Sequence, residues 1–171
     1  ARLVPRALEL ARLAAQHGIG LTIDAEEADR LEISLKVIAA LARDPTTRGW
    51  PGLGLAIQAY GRRAPAVIDW VVELTRDTGR QMSARLVKGA YWDSEIKRSQ
   101  ERGFDYPVYT RKTSTDLSYL SCARLLFAAK GRAYPQFATH NAHTIGAVLA
   151  LRPRGAAFEF QRLHGMGTLL Y

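Results

Sequence analysis

The stretch Met82-Ser83-Ala84-Arg85-Leu86-Val87-Lys88-Gly89-Ala90-Tyr91 decides the class of fold. Its apolar centre, Leu86-Val87, is typical of a short strand, and the strand runs into a polar turn at Lys88-Gly89. A helical pattern of apolar residues precedes it from Pro65 to Asp77, and a polar segment with a short helix is predicted from Trp92 to Thr110. A strand between two helices is one unit of a repeating β/α protein.

The same alternation extends in both directions along the chain. Further strands are predicted at residues 19–23, 53–60, 134–139 and 157–163. Further helices are predicted at residues 3–16, after the capping-box pattern at 24–27, from 115 onward and at 144–151. Such a repeat implies a parallel sheet, either a doubly wound layer or a (β/α)8 barrel.

The barrel is the favoured member of these two α/β folds. A Gly-x-Gly-x-x-Gly motif does not follow the first strand, so a dinucleotide-binding layer has no support. A complete barrel needs ~250 residues, whereas this chain has 171. We therefore expect a portion of a (β/α)8 TIM-type barrel, with about five parallel strands and intervening helices.

Composition excludes several classes of function. The net charge is +8, but the basic residues are scattered and the longest runs are pairs such as Arg62-Arg63, so a nucleic-acid partner is not expected. No apolar run approaches the ~20 residues that cross a bilayer. The single cysteine, Cys122, rules out an internal disulfide and agrees with a reducing compartment. Its neighbours at helical spacing, Tyr119 and Leu126, predict a packing role.

Six segments carry a family resemblance, and five of them include a predicted strand end. They are, in order, TIDAEE (22–27), IQAY (57–60), RLVKGAYWD (85–93), YPVYTRK (106–112), ATHNAH (138–143) and FEFQRLHGMG (158–167). Together they resemble the proline dehydrogenase domain of the bifunctional bacterial proline utilisation flavoenzymes. The continuation YWDSEIKR (91–98) is more similar to the bifunctional form than to the short single-function enzymes.

The resemblance implies a specific chemistry. It implies FAD bound non-covalently in a distorted (β/α)8 barrel, and hydride transfer from carbon C5 of L-proline to flavin N5. The product would be Δ1-pyrroline-5-carboxylate, a step in the catabolism of proline to glutamate. It also implies that electrons pass to a membrane quinone, from a cytoplasmic protein peripheral to the inner membrane.

Arg85 and Asp24 are the expected catalytic residues. A guanidinium beside the N5–O4 edge of the flavin would stabilise the reduced anionic ring. The alternative for Arg85 is an ion pair at the barrel rim, with Asp24 as partner. For Asp24 the alternative is a helix cap, which Glu27 three residues later supports. Gln58 is expected to form hydrogen bonds with the flavin pyrimidine. The alternative for Gln58 is a strand-end residue that bonds only to the backbone nearby.

The turn after the third strand is expected to touch FAD throughout. The residues assigned to the cofactor here are Val87, Lys88, Gly89, Ala90, Tyr91 and Trp92. Gly89 would let the backbone approach a ligand closely, and Trp92 would stack on the adenine. The alternative is a plain turn with a partly buried aromatic anchor.

The remaining cofactor residues come from three later segments. Arg111 and Lys112 are assigned to the phosphate–ribose region, although a basic pair in a loop is also typical of a solvated surface. The other residues are Thr139, His140, Asn141, Glu159 and Gln161. The histidines at 140 and 143 lack a third spaced ligand, so no metal is expected.

Proline itself needs partners that this sequence does not supply. In the family, its carboxylate is held by adjacent arginines on the last helix, and a lysine on the first strand completes the pocket. We therefore expect residues 1–171 to be a partial barrel domain that lacks the first strand and the last units, and to be incomplete for catalysis. The alternatives are a non-catalytic fragment or interaction module with self-association through its strand edges, and a barrel enzyme for phosphates or sugars.

Overall fold

The computed structural model describes residues 3–171, and these form one five-stranded sheet. The strands are β1 (Leu21–Ile23), β2 (Leu53–Gln58), β3 (Met82–Val87), β4 (Ala133–Ala138) and β5 (Glu159–Gln161). Every neighbouring pair is parallel, and the order in space follows the order in sequence. A doubly wound layer reverses its strand order, whereas a barrel does not. The predicted fold, five parallel strands of a TIM-type barrel, is confirmed.

Helices connect the strands and cover one face of the sheet. They are α1 (Leu3–Gln16), α2 (Leu31–Arg43), α3 (Ala64–Thr78), α4 (Trp92–Arg102), α5 (Lys112–Ala128) and α6 (Ala142–Leu151). Short 3-10 turns at Ala28–Arg30 and Pro45–Thr47 flank α2. The connection from β3 to β4 holds two helices, so α4 is additional to the simple alternation. Among the described residues, no helix is both long enough and apolar enough to cross a bilayer.

Side-chain alternation gives the sheet two unlike faces. In β3, Met82, Ala84 and Leu86 are buried against the helices, while Ser83 and Arg85 on the other face are more exposed. The neighbouring long strands β2 and β4 alternate in the same way over most of their length. Because all strands are parallel, their carboxyl ends lie along one edge of the sheet. The polar residues that follow the strands are therefore gathered at that edge.

An aromatic cluster fills the core between α5 and the last strands. The ring of Phe137 in β4 lies 5.2 Å from Phe127 and 5.8 Å from Phe158, centroid to centroid. Tyr119 is fully buried beside the same ring. Cys122 is also fully buried, and burial raises the pKa of its thiol. The predicted packing role of Cys122 is confirmed.

The main local error of the sequence reasoning is the capping box at 24–27. Asp24 does not cap the helix, because helical structure begins only at Ala28 and the carboxylate accepts a hydrogen bond from Arg85. Some element boundaries also differ: β1 begins at Leu21 rather than at residue 19, and β5 spans Glu159–Gln161 rather than 157–163. Helix α5 begins at Lys112, three residues before the predicted start.

Candidate active site

A cleft of about 990 Å³ opens along the carboxyl ends of the strands. It approaches the upper limit of the ~300–1,000 Å³ typical of ligand sites. The structure brings most of the predicted site residues to its lining: Asp24, Gln58, Arg85, Val87, Lys88, Gly89, Ala90, Tyr91, Lys112, Thr139, His140, Asn141 and Gln161. Trp92, Arg111 and Glu159 lie outside this lining.

Arg85 occupies the centre of the polar wall. Its Nε donates to Gln161 Oε1 at 2.8 Å, and one terminal nitrogen donates to Asp24 Oδ1 at 2.6 Å. The side chain is 29% exposed, compared with 70% for Asp24. A guanidinium has five N–H donors, so about three remain for a ligand. The ion pair considered from sequence is therefore present, and it lies within the cleft.

Glu159 supports this wall from two residues before Gln161 in β5. Register places Arg85, Gln136 and Glu159 side by side on adjacent strands. Glu159 Oε1 accepts from Gln136 Nε2 at 2.9 Å and from Gln161 Nε2 at 2.7 Å. Because the nitrogen of Gln161 is held there, its oxygen is directed to Arg85. Glu159 thus acts on the cleft through Gln161.

Gln58 joins two loops at the cleft edge. Its Nε2 donates to the carbonyl oxygen of Glu26 at 2.8 Å, and its Oε1 accepts from the Ala90 amide at 3.0 Å. These are the backbone contacts that the sequence left as an alternative. An amide has two donors and two lone pairs, so about half of its capacity remains for a ligand.

The turn after β3 needs glycine because of a neighbouring ring. Gly89 has φ +145°, and a Cβ built there would lie 2.4 Å from Tyr60 Cγ. Tyr60 is 4% exposed, and burial raises the pKa of its hydroxyl to about 12. The sequence attributed Gly89 to ligand approach, whereas the structure assigns it first to the packing of Tyr60.

Two lysines meet at one carboxylate on the α5 side of the cleft. Lys88 Nζ lies 2.5 Å from Asp116 Oδ1, and Lys112 Nζ lies 2.7 Å from Oδ2. The hydrogen bonds from Lys112 and then Lys88 hold the pKa of Asp116 below its usual range. Three charges in contact leave a net positive charge, which suits an anionic group.

The strand end at 139–141 is used largely by the fold itself. Asn141 caps α6, because its Oδ1 accepts from the Thr144 amide at 2.9 Å. His140 Nε2 accepts from the Leu163 amide at 3.0 Å, which ties β4 to the segment after β5. Thr139 Oγ1 accepts from the Asn141 amide at 3.2 Å. Over residues 3–171, no three His, Cys, Asp or Glu side chains form a group that could hold a metal ion.

Trp92 is the first residue of α4, and Arg111 immediately precedes α5. The indole Nε1 of Trp92 donates to the Tyr109 carbonyl at 2.9 Å, while the side chain remains 41% exposed. Arg111 is an exposed residue at the N-cap of α5. Each is adjacent in sequence to a residue of the lining, Tyr91 or Lys112.

Some residues of the site were missed by the sequence reasoning. Glu26 lines the cleft and accepts a hydrogen bond from the Tyr91 hydroxyl at 2.9 Å, but the assumed capping box obscured it. Asp116 follows Lys112 by four residues, a helical spacing that favours an ion pair and was available as a signal. Arg162 also lines the cleft and lies in the last matching segment.

Known proteins resemble this chain closely in sequence. The sequence model of the family described as "Proline dehydrogenase" matches residues 2–171. The bifunctional protein PutA of Salmonella typhimurium is 56% identical over 173 residues, which cover 99% of this chain and 13% of that protein. Human mitochondrial proline dehydrogenase 1 is 26% identical over 174 residues, covering 96% of this chain and 29% of that protein.

Solved structures agree with the sequence matches. A crystal structure of a Bradyrhizobium japonicum PutA mutant is 60% identical with a TM-score of 0.96, covering 99% of this chain and 18% of that one. PutA from Bdellovibrio bacteriovorus, inactivated by N-propargylglycine, is 33% identical with a TM-score of 0.92, covering 96% and 18%. The chain thus spans a small part of the length of these relatives. On sequence and structure together, it belongs to the proline dehydrogenase family.

Proposed function

We propose that this chain forms the flavin-binding wall of an FAD-dependent proline dehydrogenase. The enzyme would oxidise L-proline to Δ1-pyrroline-5-carboxylate, in the catabolism of proline to glutamate. One observation carries the proposal: Arg85, held by Asp24 and Gln161, lines a cleft along the carboxyl ends of parallel strands, where barrel enzymes have their active sites.

The chemistry of the cleft fits FAD. An isoalloxazine ring needs hydrogen-bond donors along its polar edge, and Arg85 and Gln58 retain unused donors there. Two phosphates need cationic partners, and the Lys88 and Lys112 pair supplies a net positive charge on one side. The cleft volume of about 990 Å³ is large for this class of site.

Each remaining residue has a proposed place around the cofactor. Val87, Gly89, Ala90 and Tyr91 would contact the ring from the turn after β3. Arg111 would join Lys112 at the phosphate–ribose region, and Trp92 would stack on the adenine, since both are next to residues of the lining. Thr139, His140 and Asn141 would face the ribityl chain or dimethylbenzene side, with Gln161, supported by Glu159, near Arg85.

The residues of this chain have distinct tasks in the proposed reaction. FAD, when bound, would supply the acceptor for the hydride that leaves carbon C5 of proline. Arg85 stabilises negative charge at the N5–O4 edge, because a fixed guanidinium needs no rearrangement as charge develops. Asp24 and Gln161 hold Arg85 from two sides and so fix its direction.

Other parts of the full protein complete this proposal. Within the described part of the chain, β1 and β5 each have a single neighbouring strand, and the relatives extend far beyond the matched segment. We place there the strands that close the barrel and the cations that bind the proline carboxylate. Electrons would pass to a quinone at the cytoplasmic side of the inner membrane, as the resemblance to the bacterial enzymes implies.

Anaerobic titration of the natural-length protein with L-proline tests the proposal. We expect proline to bleach the flavin absorption in this titration. In steady-state kinetics, Arg85→Met should lower kcat/KM by roughly 10²–10³, as for loss of a charge-stabilising donor. Arg76→Met, in the exposed last turn of α3, is the matched control and should leave the rate unchanged. A protein that takes up no flavin from excess FAD would instead support the non-catalytic alternative.

A further inference from the structure

We infer that Glu95 on α4 is a positioning residue for the Asp24–Arg85 pair, an inference that rests on the proposed function. Glu95 is 3% exposed and lies outside the lining of the cleft. Its Oε1 accepts a hydrogen bond from the Ala28 amide at 2.7 Å, across 67 residues of sequence. The carboxylate therefore acts on the segment that follows Asp24.

This contact caps a helical segment from outside. The first N–H groups of a helix have no partner within it and need one from elsewhere. Ala28 opens the 3-10 turn that leads into α2, and the side chains of Glu27 and Arg30 make no cap hydrogen bond at the two starts. Glu95 supplies the missing acceptor, and a charged acceptor makes a stronger bond than a neutral one.

Two further bonds connect the α4 region to the same segment. The Tyr91 hydroxyl donates to Glu26 Oε2 at 2.9 Å, and Arg98 donates to Asp29 Oδ2 at 3.0 Å. Asp29 and Glu26 are both exposed, so each of these bonds is weak in water. The part-buried bond that Glu95 accepts lies between them and holds the Ala28 amide, while Arg63 donates to the Ala28 carbonyl at 2.9 Å.

The constraint reaches the reaction through Asp24. Only three residues separate Asp24 from Ala28, and the carbonyl of Glu26 between them accepts from Gln58. When Ala28 is anchored, the Asp24 carboxylate is held 2.6 Å from Arg85. A displacement of ~1 Å in such a group can cost about 10²-fold in rate. Glu95 thus sets the direction of Arg85 without touching substrate or cofactor.

Hydrogen exchange on the natural-length protein, without proline, tests the anchor directly. Glu95→Met keeps the side-chain length and removes the acceptor, whereas Glu95→Gln keeps an acceptor oxygen. We expect the Ala28 amide to exchange at least about tenfold faster in Glu95→Met and within about threefold of wild type in Glu95→Gln. Glu101→Met, an exposed position on α4, is the control and should change nothing.

The kinetic test asks whether Glu95 acts through Asp24. Asp24→Asn should lower kcat/KM by about tenfold or more in the wild-type background, and by less than about threefold in Glu95→Met. Full multiplication of the two effects, or unchanged exchange at Ala28, overturns the inference. Ala28→Pro removes the same bond from the donor side at a first-turn position that proline tolerates, and it replaces Glu95→Met in the kinetic test should that variant not fold.

The two tests also separate this inference from the proposed function. If the wild-type protein does not oxidise proline, the proposed function fails, while the exchange experiment still decides whether Glu95 anchors Ala28. If the wild type is active and Asp24→Asn costs the same in both backgrounds, only the role of Glu95 fails.

Discussion

Single side chains in this cleft serve both the fold and the site. Asp116 is bound by Lys88 and Lys112, and it turns two separate ammonium groups into one positively charged surface. Arg85 is likewise shared between Asp24, which follows the first strand, and Gln161 in the last strand of the sheet. Charges held in this way are ordered before a ligand binds, so less reorganisation is needed when it arrives.

Asp116 gives the site a predictable dependence on pH. Its pKa in the folded state is below the usual 3.8, so the fold favours the ionised form. The resulting stability is present above about pH 4 and is lost as pH falls through the lowered pKa. Asp116→Asn should therefore cost about 0.5–1 kcal/mol at pH 7, and this difference should shrink on acidification.

Urea unfolding at pH 7 and at pH 3 measures that difference. The exposed Asp105→Asn is a suitable control, because it tests the removal of a carboxylate in a loop. A difference between Asp116→Asn and wild type that stays the same at both pH values would contradict the assignment.

Residue identities were predictable where a polar group ends an apolar strand. Arg85, Gln58 and Thr139 were found by that signal, and the structure brings all three to one cleft. The capping box at Asp24 was wrong, since the pattern Asp-x-x-Glu is only local, whereas the ion pair with Arg85 that was considered as an alternative joins residues 61 positions apart. Contacts of that range, such as Glu95 with Ala28, leave no trace in local spacing.

At the scale of elements, the turn after β3 shows how packing fixes a loop. Gly89 lies against the ring of Tyr60, and that ring is buried behind the turn. The turn also offers its Ala90 amide to Gln58. A side chain at 89 would push these parts away from one another, so the loop geometry depends on the absence of a Cβ.

Two glycine substitutions should therefore have opposite effects on stability. Gly89→Ala combines a φ of +145° with a clash at 2.4 Å, and we expect a loss of about 2–4 kcal/mol. Gly146→Ala lies within α6 with open space around the new Cβ, and we expect a gain of about 0.5–1 kcal/mol. Thermal unfolding of both variants checks the signs, and a neutral Gly89→Ala would show that Tyr60 yields easily.

Elements were easier to predict than their ends. The alternation of apolar patterns predicted the five strands and the α-helices beside them in the correct order. The short strands β1 and β5 were predicted too long, because apolar residues continue beyond the paired positions. A strand ends where its hydrogen bonds to the adjacent strand end, and that adjacent strand is distant in sequence.

At the scale of the whole molecule, the sheet converts scattered residues into one surface. Parallel strands in sequential order place five carboxyl ends along a single edge. Residues as far apart as Arg85 and Gln161, separated by 76 positions, then meet through side chains on the same face. The helices cover the other face, which explains why Met82, Ala84 and Leu86 of β3 are buried there.

A crystal structure of the natural-length protein loaded with FAD tests the central claim most directly. We predict an isoalloxazine ring in the strand-end cleft, with Arg85 and Gln58 within about 3 Å of its polar edge. FAD bound elsewhere, with the Arg85–Asp24–Gln161 wall facing only solvent, would contradict the account.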